Sequence, residues 1–269
     1  MQLYGIIMAT LESLKPVSGE HSIKEAVITF FLATKIIDPL SYESLIETKF
    51  KEKFQSFSPI RQVQVIFANP HKPEPETRMV EDNGFKFVSF KDGKVKNVIQ
   101  GINEANRYFF SFHSLLYSNW EDFKTFVIEC ARDIEEVQGG QYVVAYSLGY
   151  TDEFCWNDVD YDANLLFTKE KQVPTEFFTS KQFDYNLNAE NNSKNQCFDR
   201  ISVRVGNKMD QKFISINHNI TFVIDEKPIR LNDIIINPNF LENLDFAHNS
   251  NKDRLKGILS KEVCTKIRL

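Results

Sequence analysis

The residues with the clearest chemical potential lie near the C-terminus, where His248 is the first candidate. His248 follows Leu244 by four positions and precedes Leu255 by seven, so it is predicted to lie on the apolar stripe of a helix. A histidine there usually buries its ring and hydrogen-bonds a neighbour, but it can act as an acid or base when a nucleophile or a perturbed carboxylate faces it. His248 is therefore a candidate catalytic residue, and a packed structural histidine is the competing interpretation.

Two basic residues follow His248 on the same predicted helix. Lys252 and Arg254 fall within the next turns, so the three side chains could share one edge and bind a phosphate group. This arrangement supports one hypothesis, an enzyme acting on a nucleotide or a nucleic acid with His248 as its acid or base.

An acidic run in the middle of the chain resembles a calcium loop at first sight. The alternating positions are filled by Asp158, Asp160, Asp162 and Asn164. An EF-hand needs glycine at its sixth position and glutamate at its twelfth, and Ala163 and Lys169 stand there instead. The run is interpreted as an acidic domain junction, with a weak divalent-cation site as the alternative.

Familiar catalytic signatures are absent from the sequence, which has no GxGxxG, GxxxxGK[ST], GxSxG or HExxH motif. These absences exclude those signatures but not enzymes in general. Glu47 and Lys49 are spaced like the carboxylate–lysine pair of metal-dependent nucleases, but they fall on a predicted surface helix where charges are solvated. No cofactor is expected.

The cysteines argue against a metal site and for a reducing compartment. Cys130, Cys155, Cys197 and Cys264 are widely spaced and form no CxxC pair, so a structural zinc site is not expected. Dispersed thiols in a chain of this length fit the cytoplasm. The N-terminus has no basic flank or apolar run typical of a signal peptide, and no stretch is long enough to span a membrane.

The overall composition bounds the class of protein. Hydrophobic residues make up 42% and charged residues 26% of the 269 residues, which are ordinary globular values. Phenylalanine occurs 24 times, which favours strands with aromatic packing. The net charge of −5 and the absence of a basic cluster argue against a nucleic acid as direct ligand.

The first half of the chain is predicted to follow the order β-α-β-β-β-β-α-β. Its strands are predicted over Glu25 to Ile37, Arg61 to Phe67, the runs FKFVSF and KVKNVIQGI, Arg107 to Leu115, and the run QYVVAYSLGY. Asp92-Gly93 is a strong hairpin signal between two of them. Runs of adjacent strands crossed by two helices indicate an α+β fold with mostly antiparallel strands.

Two amphipathic helices are predicted in this half. The first begins at Asp38-Pro39 and presents apolar residues as far as Phe54. In the second, Ser118 and Glu121 form a capping box, and Gly139-Gly140 ends the helix. Its apolar stripe consists of Trp120, Phe123, Val127, Ala131, Ile134 and Val137.

The second half is predicted as another sheet-plus-helix unit. FDRISVRV alternates as a strand, FISINHNITFVI is a strand pair or one long strand, and the residues from Pro238 onward are helical. These patterns predict an N-terminal half over 1–155 and a C-terminal half over 156–269.

The order of several stretches resembles a sporadically distributed, uncharacterised prokaryotic family of proteins of about this length. The stretches are IKEAVITFFL, the run from FVSFKDGKVKNVIQGI to a Trp120-x-x-Phe123 helix start, AYSLGYTDEF, and a C-terminal Ala247-His248-Asn249 helix. Such a patchy distribution is typical of mobile or defence islands. The resemblance implies a role in antiphage defence or in a toxin–antitoxin-like pair.

The chain departs from the pattern of that family at one strand. Ala145 and Gly149 stand where the family has arginines, and Ser147 stands where it has glycine, whereas Leu148, Tyr150 and Asp152 are compatible. If the arginines bind an anion in relatives, that site is lost or relocated here.

Three hypotheses from different classes remain open. The first is a non-catalytic interaction protein, a sensor, adaptor or neutralising subunit that binds a protein encoded nearby. Its candidate contacts are the proline-rich loop from Asn69 to Glu76, which carries His71, together with Trp120 and Tyr150. The second is the His248 enzyme, and the third is a small-ligand binding module. The sequence does not decide whether the chain forms an oligomer.

Overall fold

Strands dominate the architecture. The computed structural model describes residues 10–66, 76–169, 173–191, 197–224 and 227–269. Within these segments the strands are β1 Lys15–Pro16, β2 Ile23–Leu32, β3 Ser56–Ile66, β4 Glu76–Lys91, β5 Lys94–Glu104, β6 Arg107–Ser114, β7 Tyr142–Asn157, β8 Phe183–Asn191, β9 Cys197–Lys208, β10 Gln211–Val223 and β11 Ile229–Arg230. The mostly antiparallel α+β class predicted from the sequence is confirmed.

The helices are mostly short. They are α1 Ser44–Glu47, α2 Trp120–Gln138, α3 Ala163–Leu166, α4 Glu176–Thr179, α5 Leu231–Ile235, α6 Pro238–Ile258 and α7 Lys261–Lys266, with 3₁₀ turns at Pro39–Glu43 and Asp158–Asp160. No helix in the described segments is long and apolar enough to span a membrane.

The chain divides into two compact units, each built from separated segments. Unit 1 comprises Met1–Ala26, Leu148–Phe222 and Glu242–Leu269, and unit 2 comprises Val27–Ser147 and Val223–Leu241. These units differ from the halves 1–155 and 156–269 expected from the sequence. The difference arises because β2, β7 and α6 each contribute residues to both units.

Unit 2 is built on the strand order β3-β4-β5-β6-β2-β7, with β11 paired to β7. Its core is a stack of aromatic rings, because alternate residues of each strand point to the same face. Phe85 and Phe87 of β4 are fully buried, and Tyr42 stacks on Phe85 with 4.3 Å between ring centroids. Many of the phenylalanines of the sequence thus pack in this core.

The strongest local signals of unit 2 are confirmed. Asp92 and Gly93 form a two-residue turn with φ values of 52° and 74°, which is the left-handed geometry that a tight hairpin requires. Helix α2 ends at Gln138, and the residue that follows it, Gly139, has a φ of 61°. The predicted order β-α-β-β-β-β-α-β describes the elements from β2 to β7.

Three local predictions are wrong in detail. β2 ends at Leu32, because the Asn103 side chain exchanges two 2.9 Å hydrogen bonds with the backbone of Ile36 and holds that segment out of the strand. The helix predicted from Asp38 to Phe54 shortens to a 3₁₀ turn and α1. Helix α2 is capped by Asn119, whose side chain accepts from the Asp122 amide at 2.9 Å, so Ser118 does not cap it.

Unit 1 follows the strand order β2-β7-β10-β9-β8, with β1 paired to β7. All of FISINHNITFVI except its last residue, Ile224, lies within the single long strand β10, which resolves the alternative left by the sequence. The core joins inward residues of β9 and β10 with one face of α6 and with α7. It contains Ile201, Val203, Val205, Ile214, Ile216, Leu255, Leu259, Val263 and Ile267.

Replacing Gly101 by alanine is expected to lower the free energy of unfolding by about 2 kcal/mol. A Cβ atom on Gly101 would lie 2.4 Å from the Phe85 ring, which is fully buried and cannot yield. Urea denaturation of the full chain measures the change.

Gly206→Ala is the matched control, because a Cβ atom there meets nothing within 4 Å. It should be neutral or stabilise the fold by up to about 1 kcal/mol. Equal destabilisation by both variants would contradict the packing described for Gly101.

Candidate functional site

Four polar side chains meet inside unit 1 and are called the His218 cluster: Asp199, His218, Asn251 and Arg254. The Nε2 atom of His218 lies 2.8 Å from Asp199 Oδ1, and its Nδ1 atom lies 3.1 Å from Asn251 Oδ1. Arg254 donates from Nε, at 3.0 Å, and from Nη2 to the other carboxylate oxygen of Asp199. The cluster therefore ties β9, β10 and α6 together through one carboxylate.

Local sequence explains why these side chains meet. Asp199 continues the inward series Ile201, Val203 and Val205 on β9, and His218 lies between Ile216 and Ile220 on the inward face of β10. Each is a polar residue at a core position of an alternating strand. A buried polar residue needs a partner, so this pattern was the signal by which the cluster could have been found in the sequence.

Electrostatics keep Asp199 ionised. Burial by itself would raise the pKa of Asp199, but the hydrogen bonds and charges of His218 and Arg254 outweigh it and lower the pKa. The lowered pKa belongs to the folded state. The pairing therefore stabilises the fold above the ordinary pKa of 3.8 and is lost as the pH falls through the lowered value.

A second buried carboxyl group, Asp152, behaves in the opposite way. Burial raises the pKa of Asp152 to about 6, against the hydrogen bond from Ser22 and the charge of His218. Ser22 Oγ donates to Asp152 Oδ1 at 2.6 Å, and Asp152 Oδ2 has no hydrogen-bond partner among the described residues. Asp152 is thus a buried carboxyl group whose pKa lies well above its ordinary value of 3.8.

His248 lies on the inward face of α6, where the helical pattern predicted it. Its side chain is buried, and its Nδ1 atom lies 2.8 Å from the Tyr150 hydroxyl group of β7. This is the packed, hydrogen-bonded arrangement named as the competing interpretation. Lys252 and Arg254 are exposed whereas the His248 side chain is buried, so the three residues do not share one solvent-facing edge.

Two of the candidate partner contacts, Tyr150 and Trp120, are buried. Tyr150 is 3% exposed, and Trp120 is 8% exposed because it packs against Phe123 and the Lys124 ammonium group. Neither side chain is presented to a partner, which corrects their assignment as contacts. His71 and most of its loop lie outside the described residues.

The acidic residues that resembled a calcium loop are used in local structure. Asp158 pairs with the buried Lys212 at 3.1 Å, Asp160 accepts from Ser13 at 2.6 Å, and Asp162 caps α3. Among the described residues, no three His, Cys, Asp or Glu side chains are grouped to hold a metal ion. The whole run lies inside one segment of unit 1, so it is not a junction between the two compact units.

The other groups considered in the sequence, Lys49 and the four cysteines, also have structural surroundings. Lys49 forms an exposed ion pair with Glu136 at 3.3 Å. The four cysteines are unpaired thiols, and burial raises the pKa of the Cys130 thiol, which disfavours the reactive thiolate.

Unit 2 carries a surface cleft of about 540 Å³, called here the α2 groove. One wall is the N-terminal part of α2, and the other is the end of the β4–β5 hairpin. The groove is lined by Glu52, Lys53, Gln55, Ser89, Phe90, Lys91, Lys96, Asn97, Glu121, Asp122, Thr125, Phe126 and Glu129. A smaller cavity of about 240 Å³ shares four of these residues and extends the groove toward Leu116.

A β-bulge presents Phe90 in this groove. The pairing of β4 with β5 shifts between Ser89 and Phe90, so Ser89 Oγ accepts from the Asn97 amide at 3.0 Å. The freed amide of Phe90 donates to Gln55 Oε1 at 2.7 Å. The Phe90 residue is left 47% exposed, whereas Phe85 and Phe87 of the same strand are fully buried. Sequence reasoning missed this residue, because alternation alone does not reveal a bulge.

Comparison of the chain with models of protein families, with curated proteins and with solved structures gave no significant match. The family resemblance therefore stays a prediction, and function is inferred from the geometry of the molecule.

Asp152→Asn is expected to raise the free energy of unfolding by about 2–3 kcal/mol near pH 8 and to change it little near pH 4. Wild-type Asp152 has a raised pKa in the folded state, so folding loses stability as the pH rises from 3.8 to about 6. Asparagine removes that loss and keeps an acceptor for Ser22. Denaturant unfolding at both pH values measures the difference.

Asp184→Asn serves as the control, because Asp184 is an exposed acid paired with Arg204. It should change stability by less than about 1 kcal/mol at both pH values. Destabilisation of Asp152→Asn by the same amount at both pH values would show that the carboxyl group is not buried as described.

Proposed function

We propose that the chain is a non-catalytic interaction protein that binds an extended segment of a partner protein in the α2 groove. The exposure of Phe90 is the observation that carries the proposal. An aromatic side chain held by a bulge at the edge of a groove can serve as an anchor, because aromatic residues dominate protein-binding hot spots. The groove also has Phe126 on its opposite wall, so an apolar partner side chain would contact both rings.

The charges of the groove define the chemistry of the segment. Lys91 and Lys96 lie on the hairpin wall and form no ion pair among the described residues. Glu121, Asp122 and Glu129 lie on the helix wall. On α2, Glu121 already pairs with Lys124 and Glu129 with Lys53, so a complementary segment carries an apolar anchor with acidic side chains toward the hairpin.

The proposal is non-catalytic because of where the titratable groups lie. His218 is 3% exposed with both ring nitrogens hydrogen-bonded, and the His248 ring is buried against Tyr150. A general acid or base must reach the substrate proton. The groove has no histidine or cysteine in its lining.

The biological setting of the proposal comes from the sequence. The chain would act as a sensor, adaptor or neutralising subunit in a prokaryotic antiphage-defence or toxin–antitoxin-like system, with its partner encoded by a neighbouring gene. The sequence resemblance supports this setting, and the groove supports only the mode of contact.

The test is co-purification of the tagged full chain with the products of its flanking genes, followed by titration of the partner that is retained. Phe90→Ser should weaken that complex about 30-fold, which corresponds to about 2 kcal/mol for loss of an aromatic anchor. The groove backbone should persist, because Gln55 and Ser89 fix it without the ring.

Phe198→Ser is the matched control, because Phe198 is 49% exposed on β9 in unit 1. It should leave the affinity unchanged. The proposal is wrong if no flanking product binds, or if both substitutions weaken binding equally.

A further inference from the structure

Unit 1 contains a concave pocket that the proposed partner contact does not use. It lies among β8, β9, α4 and the C-terminal part of α6, and its volume is about 300 Å³. The apolar wall consists of Val173, Pro174, Phe177, Tyr185, Leu187, Ile201, Val203 and Ile258. A volume of this size reaches the lower end of the range for small-molecule sites.

Two ionisable side chains, Asp253 and Arg254, also line the pocket. The two side chains differ in how strongly hydrogen bonds restrict them. Asp253 is exposed. The Arg254 guanidinium is half-exposed and is fixed through Nε and Nη2 on Asp199, which leaves its Nη1 group without a hydrogen bond among the described residues.

The His218 cluster orients this guanidinium in advance. Asp199 is hydrogen-bonded to His218, and His218 is hydrogen-bonded to Asn251. These contacts restrict rotation of the carboxylate that binds Arg254. A cation fixed before binding loses little side-chain entropy when an anion arrives. The buried cluster therefore holds the Arg254 guanidinium in one orientation, in addition to stabilising the fold.

We propose that this pocket binds a small amphipathic anion, an aromatic or aliphatic body that carries one carboxylate or phosphate group. The body would contact Tyr185, Leu187 and Ile258, whose side chains are at least partly exposed, and the anionic group would bind Arg254 Nη1 at the rim. Asp253 would accept a hydrogen bond from a hydroxyl or ammonium group next to the anion. The inference stands apart from the partner site, because every residue of the pocket belongs to unit 1 and the α2 groove belongs to unit 2.

The probes are 3-phenylpropionate, benzyl phosphate and the neutral 3-phenylpropan-1-ol. Titration of the isotope-labelled full chain by NMR should show saturable shifts at the amides of Gly257 and Ile201. At least one of the two anions should bind about tenfold more tightly than the alcohol, which is the effect of one charge-assisted hydrogen bond. The comparison of carboxylate with phosphate identifies the preferred head group.

Three variants separate the charge from the cavity. Arg254→Gln should reduce the affinity for the anion to that for the alcohol. Leu187→Trp should abolish binding of all probes by filling the pocket while Arg254 stays on Asp199. Arg204→Gln is the matched control, because Arg204 pairs with Asp184 through the same two nitrogens but does not line the pocket.

The proposal is overturned if neither anion shifts those amides, if the alcohol binds as tightly as both anions, or if Arg204→Gln weakens binding as much as Arg254→Gln. If Arg254→Gln fails to fold, persistence of anion binding in Leu187→Trp would overturn it instead. Retention of the flanking partner by Leu187→Trp would show that the two sites act independently.

Discussion

The Asp199 carboxylate is the constraint on which unit 1 depends. An ionised carboxylate is costly to bury, and here its cost is offset only because His218 and Arg254 donate to its two oxygens. The same two contacts fix β10 and α6 against β9. Removal of the carboxylate would leave the buried His218 imidazole and the Arg254 guanidinium without their acceptor. That would lower the free energy of unfolding more than replacing all three side chains together.

The two units use their polar residues differently. Unit 1 holds Asp152, Asp199, His218 and His248 in its interior, where each has a hydrogen-bond partner. Unit 2 fills its interior mainly with phenylalanine and places its charges along the α2 groove. Buried networks of this kind specify how elements dock, whereas exposed anchors and charges are available to a partner. The proposed division of roles between the units follows from this contrast.

The sequence predicted best those structural features that depend on only a few neighbouring residues. Asp92-Gly93 could be read as a hairpin because only left-handed residues close a two-residue loop, and α2 could be read from its apolar stripe. Strand β8 was missed because its sequence, FDYNLNAEN, is polar for a strand, and its register depends on pairing with β9. The shortening of the first predicted helix likewise depends on tertiary packing around Phe50 and Phe54.

The candidate sites were predicted only in part. The sequence named His248 as a candidate catalytic residue and Arg254 as a candidate phosphate ligand, but their partners, Tyr150 and Asp199, lie 98 and 55 residues away along the chain. Helical spacing shows which face a residue occupies and does not show which strand it meets. Phe90 was hidden for a similar reason, since the bulge that exposes it is fixed by the side chain of Gln55, 35 residues earlier.

A double-mutant cycle on Asp199 and His218 tests most directly whether the buried cluster holds unit 1 together. Asp199→Ala, His218→Ala and the double variant would be unfolded by denaturant near neutral pH, and the coupling energy taken from the four unfolding free energies. A coupling of about 2 kcal/mol is predicted, since each single substitution leaves the other group buried without its partner. Additivity within about 0.5 kcal/mol would contradict the account, because the two side chains would then contribute independently.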